Sequence, residues 1–321
     1  MDGDLITGYE ETIVDISQAG PSRRALLALG TGTVLFTGLA TAAGGRAHAE
    51  EPGAAVTRRL RDLEREHSAR LGVFARHMCT GRTVVYRADE RFPICSVFKG
   101  LAAAAVLRDL DEDGEFLAKR IRYTQEYVEK SGYGPETGKP ANVANGMTVE
   151  ALCSASVSAS DNAAANLLLE ELGGPTAITR FSRSLGDRIT RLDRYEPELN
   201  SAEPGRVTDT TSPRAIGKTY ARLLLGDALP SRDRGLLTDW LIANTTNTER
   251  FKAGLPADWL LADKTGGGHE YGVANDVGVV WPPDGTPIVM AVLTTKPGSP
   301  TGPRDSALVA KTARLLASAL T

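Results

Sequence analysis

The sequence predicts an α+β fold: an antiparallel sheet built from both ends of the chain and flanked by helices, with an all-helical part inserted between. Three observations predict it. Runs that read as strands occur early, at Leu71–Met78 and Thr83–Tyr86, and again late, at Trp259–Asp263, Tyr271–Trp281 and Pro287–Thr295. Two Ala/Leu-rich helical runs, Gly100–Leu107 and Asn162–Leu172, fill the middle. No internal repeat suggests a solenoid or propeller instead.

The first segment reads as an address. Ser22-Arg23-Arg24 precedes an apolar stretch, Ala25–Ala43, and then Ala47-His48-Ala49 and the acidic pair Glu50-Glu51. Basic pair, apolar run and A-x-A motif together read as a twin-arginine export signal over 1–49. Gly30, Thr31, Gly32 and Thr33 interrupt the run and weaken it as a membrane anchor. The expected product is exported, free of the membrane, and starts near Glu50. Its α/β part is expected over about 50–92 and 213–321, and its helical part over about 93–212.

In order along that product, Arg58–His67 carries charge at helical spacing. Cys79-Thr80-Gly81-Arg82 turns the first hairpin. Arg120–Glu129 is short and mixed, and Ser131–Ala144, with three glycines and two prolines, reads as a loop. Thr148 is placed to cap a helix from Val149. The Asn162 helix stops at Gly173-Gly174-Pro175, and a further helix runs from Pro175 to Leu185. Arg188–Thr211 has no period and is long for a structureless loop, so it reads as an ordered functional one. Ser212-Pro213 opens a helix to about Leu225; Arg232–Ala243, Thr248–Ala253 and Asp305–Leu320 are also helical.

Composition narrows the chemistry. A formal charge of −3 gives no reason to expect nucleic acid or an anionic membrane as partner. Three cysteines, Cys79, Cys95 and Cys153, show no C-x-x-C spacing and argue against a disulfide framework or zinc site. Four histidines form neither H-x-H nor H-E-x-x-H, so no metal or other cofactor is expected and a Ser-His-Asp triad is disfavoured. What remains is Ser96-Val97-Phe98-Lys99 at the start of a helix. Positions i and i+3 share a helical face, which brings the lysine amine toward the serine hydroxyl. A desolvated lysine can lose its proton and a helix N-terminus favours negative charge, so the pair can make a nucleophile without histidine. The tetrad alone is weak. Ser160-Asp161-Asn162 at a helix start and Lys264-Thr265-Gly266 at a strand end follow it in order.

On these three motifs, and on Arg194-Tyr195-Glu196-Pro197-Glu198-Leu199-Asn200 between the last two, the mature chain resembles the class A serine β-lactamases, especially actinobacterial ones. The resemblance implies a β-lactamase/D,D-peptidase-like fold and a monomer that hydrolyses small β-lactams, penicillins and cephalosporins, through an acyl-enzyme. It implies that Ser96 attacks, with Lys99 as base or relay. Ser160 passes a proton to the leaving nitrogen with Lys264 nearby. Glu196 activates the deacylating water with Asn200. Asn162 meets the substrate amide, and the amides of Ser96 and Gly267 form the oxyanion hole. Arg250 and Thr265 take the substrate carboxylate. Arg194 and Asp209 close the loop, and Asn166 supports it. Whether Lys99 or Glu196 is the acylation base stays open. A D,D-peptidase or a β-lactam sensor would share the three motifs; Glu196 and Asn200 argue against both. Gly268 and Ala103 stand where some relatives carry cysteines that pair with those at Cys95 and Cys153, so neither bridge is expected. His269-Glu270 lengthens the segment after K-T-G, and the loop holding Tyr133 is long.

Overall fold

A computed structural model describes residues 52–268 and 270–321. The export segment 1–49 with its Ala47–Ala49 motif lies outside the described residues, as does His269.

Helix α1 (Pro52–Glu66) buries Leu60 and Leu63, three residues apart on one face. Strands β1 (Arg70–His77) and β2 (Thr83–Tyr86) form the expected hairpin, Val73 opposite Tyr86 and Arg76 opposite Thr83. A short strand β3 (Phe92–Pro93) and a 3₁₀ turn (Cys95–Val97) lead into α2 (Phe98–Asp109). The insertion follows: α3 (Glu115–Ala118), β4 (Arg120–Ile121), α4 (Gln125–Ser131), α5 (Pro140–Asn145), β5 (Met147–Thr148), α6 (Val149–Ser158), α7 (Asn162–Glu171) and α8 (Thr176–Ser184). Strand β6 (Thr210–Thr211) returns to pair with β3. Then come α9 (Pro213–Leu224), α10 (Ser231–Ile242), α11 (Phe251–Gly254), β7 (Leu260–Gly267), β8 (Ala274–Trp281), β9 (Ile288–Thr295) and α12 (Ser306–Leu320).

The sheet order is β2-β1-β9-β8-β7, with every pair antiparallel. Strand β1 lies along β9 from Arg70–Thr295 to His77–Ile288, so the two ends of the chain meet at the centre of the sheet. One face packs Leu71, Val73 and Met290 against Leu60 of α1 and Leu308 and Leu316 of α12. The other packs Phe74, Val277 and Val279 with α9 and the helices of the insertion, α2 among them. Burial on both faces explains why β8 and β9 read as nearly unbroken apolar runs rather than alternating ones.

Several boundaries differ from the sequence reading. Helix α1 begins at Pro52, not Arg58: Val56 packs beside Leu60 one turn before the charged stretch that marks the helix in the sequence. Ser96 sits in the 3₁₀ turn before α2 rather than in the helix proper. The loop over 131–144 contains the start of α5, which has Pro140 at its first position. Lys264-Thr265-Gly266 lies inside β7, which runs on to Gly267. Strand β8 begins at Ala274, since Tyr271 and Gly272 turn through positive φ of 52° and 56°. Of Thr248–Ala253, only Phe251 onward is helical. Ser212 and Thr148 cap as their sequence context implies, accepting from the backbone N–H of Ala215 and Ala151.

Candidate active site

The 3₁₀ turn is wedged between the sheet and the insertion. Asn275 of β8 donates through Nδ2 to Pro93 O at 2.8 Å, and Tyr220 of α9 donates its hydroxyl to Val97 O at 2.8 Å. On the β7 side Gly266 permits the approach: a Cβ there would lie 2.9 Å from Val97 Cγ2 and 3.1 Å from Ile94 O. Cys95, just before the serine, is held at φ 45°, a conformation that non-glycine residues keep only when their surroundings enforce it.

A cleft of about 730 Å³ opens over this turn, lined among others by Ser96, Ser160, Asn162, Asn200, Thr265 and Gly267. Ser96 Oγ donates to Glu196 Oε1 at 3.3 Å, and Lys99 Nζ lies 3.1 Å from the same oxygen. Serine and lysine thus meet on a shared carboxylate oxygen, whereas helical spacing alone pointed the amine at the serine. Lys99 also donates to Asn162 Oδ1 at 2.6 Å and Ser160 O at 2.8 Å, and reaches Ser160 Oγ at 3.5 Å. Lys264 Nζ donates to Ser160 Oγ at 3.1 Å and Thr265 O at 3.0 Å. Ser160 therefore stands between two buried amines. Burial holds both below the ordinary lysine range: Lys99 against the charge of Glu196, and Lys264 down to about 7, helped by Lys99.

The S-D-N turn is fixed from below. Asp161 caps α7 through Ala164 N and also accepts from Thr137 N at 2.8 Å and Glu136 N at 3.0 Å. That ties the 131–144 loop to a turn in which Ser160 has φ 57°. Asn162 gives one amide hydrogen to Ser131 O at 2.9 Å and its oxygen to Lys99, so its second amide hydrogen is what remains for a ligand.

Glu196 is 2 % exposed, and its backbone is gripped by one side chain. Asn166 donates to Glu196 O at 2.9 Å and accepts from Glu196 N at 2.9 Å. Asn200 Nδ2 donates to Glu196 Oε2, while Asn200 Oδ1 is buried and has no partner among the described residues. At the base of the loop Asp209 Oδ2 takes Arg194 Nε at 2.6 Å, and Oδ1 takes the backbone N–H of Asp193 at 2.7 Å and of Arg194 at 3.1 Å. A second hollow, of about 480 Å³, lies beside the loop; it touches Arg194 and Asp209 but none of the reacting groups.

Arg250 also lines the cleft, but it is buried, and its Nη1 is committed to Gly266 O and Asn275 O at 2.7 Å each. It works in part as a clamp between β7 and β8. Thr265 Oγ1 bonds Thr246 Oγ1, which in turn donates to Asn244 Oδ1 at 2.7 Å. Neither Thr246 nor the rim residue Arg304, whose Nε donates to Gly268 O at 2.9 Å, was expected in the cleft. Both lie on loops, Thr246 between α10 and α11 and Arg304 between β9 and α12, and the packing of those elements brings them there. Cys95 and Cys153 are free and buried, with burial pushing the Cys95 thiol up to about 12. Among the described residues no group of three or more His, Cys, Asp or Glu side chains is placed to hold a metal ion.

A hydroxyl nucleophile, a second hydroxyl between two amines, and a carboxylate touching both nucleophile and amine define a serine acyl-transfer enzyme. A sequence model described as the Beta-lactamase enzyme family matches residues 55–320. The chain is 63% identical over 309 residues to a beta-lactamase of Streptomyces fradiae, covering 96% of this chain and 100% of that one. It is 64% identical over 302 residues to one of Streptomyces lavendulae, covering 94% and 98%. The solved beta-lactamase from Streptomyces albus G matches with a TM-score of 0.82 at 66% identity, covering 83% of this chain and 100% of that chain. A mutant of the last common ancestor of Gram-negative bacteria beta-lactamase class A matches with a TM-score of 0.77 at 49% identity, covering 82% and 98%. The chain belongs to the beta-lactamase enzyme family, within class A: it is a serine hydrolase that opens β-lactams and so confers resistance to them.

Proposed function

We propose that penicillins and cephalosporins are hydrolysed here in two stages at Ser96. In acylation Ser96 Oγ attacks the lactam carbonyl, and the C–N bond breaks. The Ser96 hydroxyl donates to Glu196 Oε1 with Lys99 beside both, so the carboxylate or the amine can take its proton, and the amine alone when Glu196 is absent. Ser160 gives its proton to the leaving nitrogen and is resupplied through Lys99, which passes on the proton taken from Ser96 and leaves Glu196 a carboxylate before the water enters; Lys264 lies beside Ser160 as well. The amides of Ser96 and Gly267 receive the oxyanion. Arg250 and Thr265 take the substrate carboxylate, and Asn162 its amide.

In deacylation a water attacks the ester, Glu196 takes its proton, and Ser96 leaves as the hydroxyl. The observation that carries this reading is the buried Glu196 carboxylate, in contact with Ser96 and Asn200, beside the unsatisfied acceptor Asn200 Oδ1. A water between them would answer both groups. Arg194, Asp209 and Asn166 hold the loop that supplies it.

The same reading extends to the chain as a whole. It is exported by the twin-arginine signal over 1–49 and acts outside the cytoplasm as a monomer. The catalytic part over 50–321 divides into an α/β portion and a helical portion near residues 93 and 212. Among the described residues no helix is long and apolar enough to cross a membrane.

The test is turnover of a chromogenic cephalosporin by wild type and Glu196→Ala, with intact-mass analysis. Rapid turnover by wild type and a lasting covalent adduct on the variant are expected. Slow, stoichiometric acylation of the wild type would sink the reading. An exported protein whose mass does not begin near Glu50 would overturn the export assignment.

A further inference from the structure

Three buried cations meet behind the cleft: Lys99, Lys264 and Arg250. Glu196 faces Lys99. The other two are faced by aspartates that the reaction never touches. Asp263 precedes Lys264 on β7. Asp276 lies diagonally across on β8, where Thr265 stands opposite Asp276 and Asp263 opposite Gly278. Both side chains are fully buried. Gly278 makes the room, since a Cβ there would fall 2.9 Å from Asp263 Cβ and 2.2 Å from Ala262 O.

The donors around the two carboxyls are unequal. Asp263 Oδ1 accepts from Asn247 Nδ2 at 2.7 Å and Asn244 Nδ2 at 3.1 Å. Among the described residues Asp276 Oδ2 accepts only the backbone N–H of Phe251, at 3.1 Å. One oxygen is left on each, Asp263 Oδ2 and Asp276 Oδ1, and among the described residues neither receives a donor from elsewhere. The two carboxyls are in hydrogen-bond contact with one another. Two bare carboxylates cannot share a dry site; one proton between them satisfies both leftover oxygens.

We propose that Asp276 is a neutral acid that donates this proton to Asp263, and so acts as a positioning residue that keeps the wall behind Lys264 and Arg250 at a single negative charge. The donor count places the proton. Asp263, with two amides on its other oxygen, is surrounded as a full carboxylate should be. Asp276 is not. Burial raises both carboxyls, and the charge of Asp263 raises Asp276 further.

The groups facing the pair are Lys264 from β7, Arg250 from the segment before α11, and Tyr220 from α9, whose phenol burial keeps protonated. Lys99 of α2 lies beyond Lys264. With Lys264 protonated, two cations against one negative charge leave a surplus positive charge at the Thr265–Gly267 edge. On the proposed reading that edge receives the substrate carboxylate; with both aspartates ionised, the surplus would vanish.

The test compares Asp276→Asn, Asp276→Leu and Asp263→Asn. Asparagine at 276 places Nδ2 where the acid proton was and its oxygen on Phe251 N–H. It is expected to hold kcat/KM within about threefold and to leave the pH profile in place, where leucine is expected to lose about tenfold or more. Asp263→Asn turns an amide toward two amide donors and removes the charge that raises Lys264. Its alkaline limb of kcat/KM is expected to move to lower pH.

Infrared difference spectroscopy of wild type against Asp276→Asn at pH 7 reads the proton directly, as a carboxylic-acid carbonyl band present only in wild type. That band does not depend on what the enzyme hydrolyses, so it separates this inference from the reading of function. The proposal is overturned if the band is missing. It is equally overturned if Asp263→Asn is silent and Asp276→Asn damaging. Should Asp263→Asn fail to fold, the band and the asparagine–leucine contrast at 276 decide.

Discussion

Replacing Asp209 with asparagine tests whether the loop carrying Glu196 is held at its base. Asp209 is almost wholly buried, and its carboxylate takes three donors: Arg194 Nε at 2.6 Å and the N–H groups of Asp193 and Arg194. Asparagine keeps an oxygen for the two N–H groups but sets an amide donor against the guanidinium. Removing one partner of a buried pair costs about 3–5 kcal/mol, and losing one charge-assisted bond about 1.5–3 kcal/mol. Arg194 is 26% exposed and keeps Ser201 Oγ at 3.0 Å, so solvent relieves part of the loss. About 2–3 kcal/mol remains, and it falls on the segment between Asp193 and Asp209 rather than on the core. In a chain of this size that lowers Tm by roughly 4–10 °C. The kinetic signature is more specific. Ser96, Lys99 and Ser160 are held by other elements, so acylation persists with Lys99 left to take the Ser96 proton, while Glu196 loses its place over the ester. Stopped-flow hydrolysis of a chromogenic cephalosporin is expected to show a burst of one equivalent followed by a steady rate slowed about 10²-fold or more, within the range a general base contributes. Equal loss of burst and steady phases, or a variant with unchanged Tm and turnover, would refute the account.

Lys264 gives activity and stability opposite responses to pH. Its folded value is about 7 against an ordinary 10.5, so between those values the unfolded chain holds a proton that the folded chain has lost. Its contribution to stability therefore rises with pH across that window, while kcat/KM falls as the amine beside Ser160 discharges; urea midpoints and rate profiles from pH 7 to 10 check both. Arg250→Ala strands the carbonyls of Gly266 and Asn275, so a stability loss of about 2–4 kcal/mol should accompany a raised KM for carboxylate-bearing substrates in denaturation and steady-state assays. Gly100→Ala would set a Cβ 2.3 Å from the Tyr220 hydroxyl that bonds Val97 O, and calorimetry is expected to show a loss of about 1–3 kcal/mol as that bond to the nucleophile turn is displaced.

Much of the reacting centre was legible because its residues sit in short motifs with fixed local geometry. Ser96 and Lys99 are one turn apart, Ser160 and Asn162 begin a capped helix, and Lys264 and Thr265 lie on a strand. Glu196 was legible only through its neighbours Arg194, Leu199 and Asn200. The supporting partners were not. Thr246 reaches Thr265, Asn275 reaches Pro93, and Asp276 reaches Asp263 through strand register and helix placement, which no local period encodes. The missed boundaries follow the same line. The first turn of α1 holds Pro52 and Gly53, which read as a linker, and α5 is a six-residue helix inside a Gly/Pro-rich stretch, where turn signals outweigh propensity.

The pairing of β1 with β9 has a consequence in time. The central seam of the sheet joins residues 70–77 to 288–295, so it cannot close until nearly the whole chain is available. The nucleophile turn, made early, receives Lys264 only when β7 docks on it. A chain stopped short of β9 could collapse its Ala/Leu helices yet would leave β1 and β8 as open edges, prone to pair with other chains. Contacts of such sequence separation are slow to form. Hydrolytic activity is therefore a report on completed synthesis: no growing fragment holds Ser96, Ser160 and Lys264 in one place.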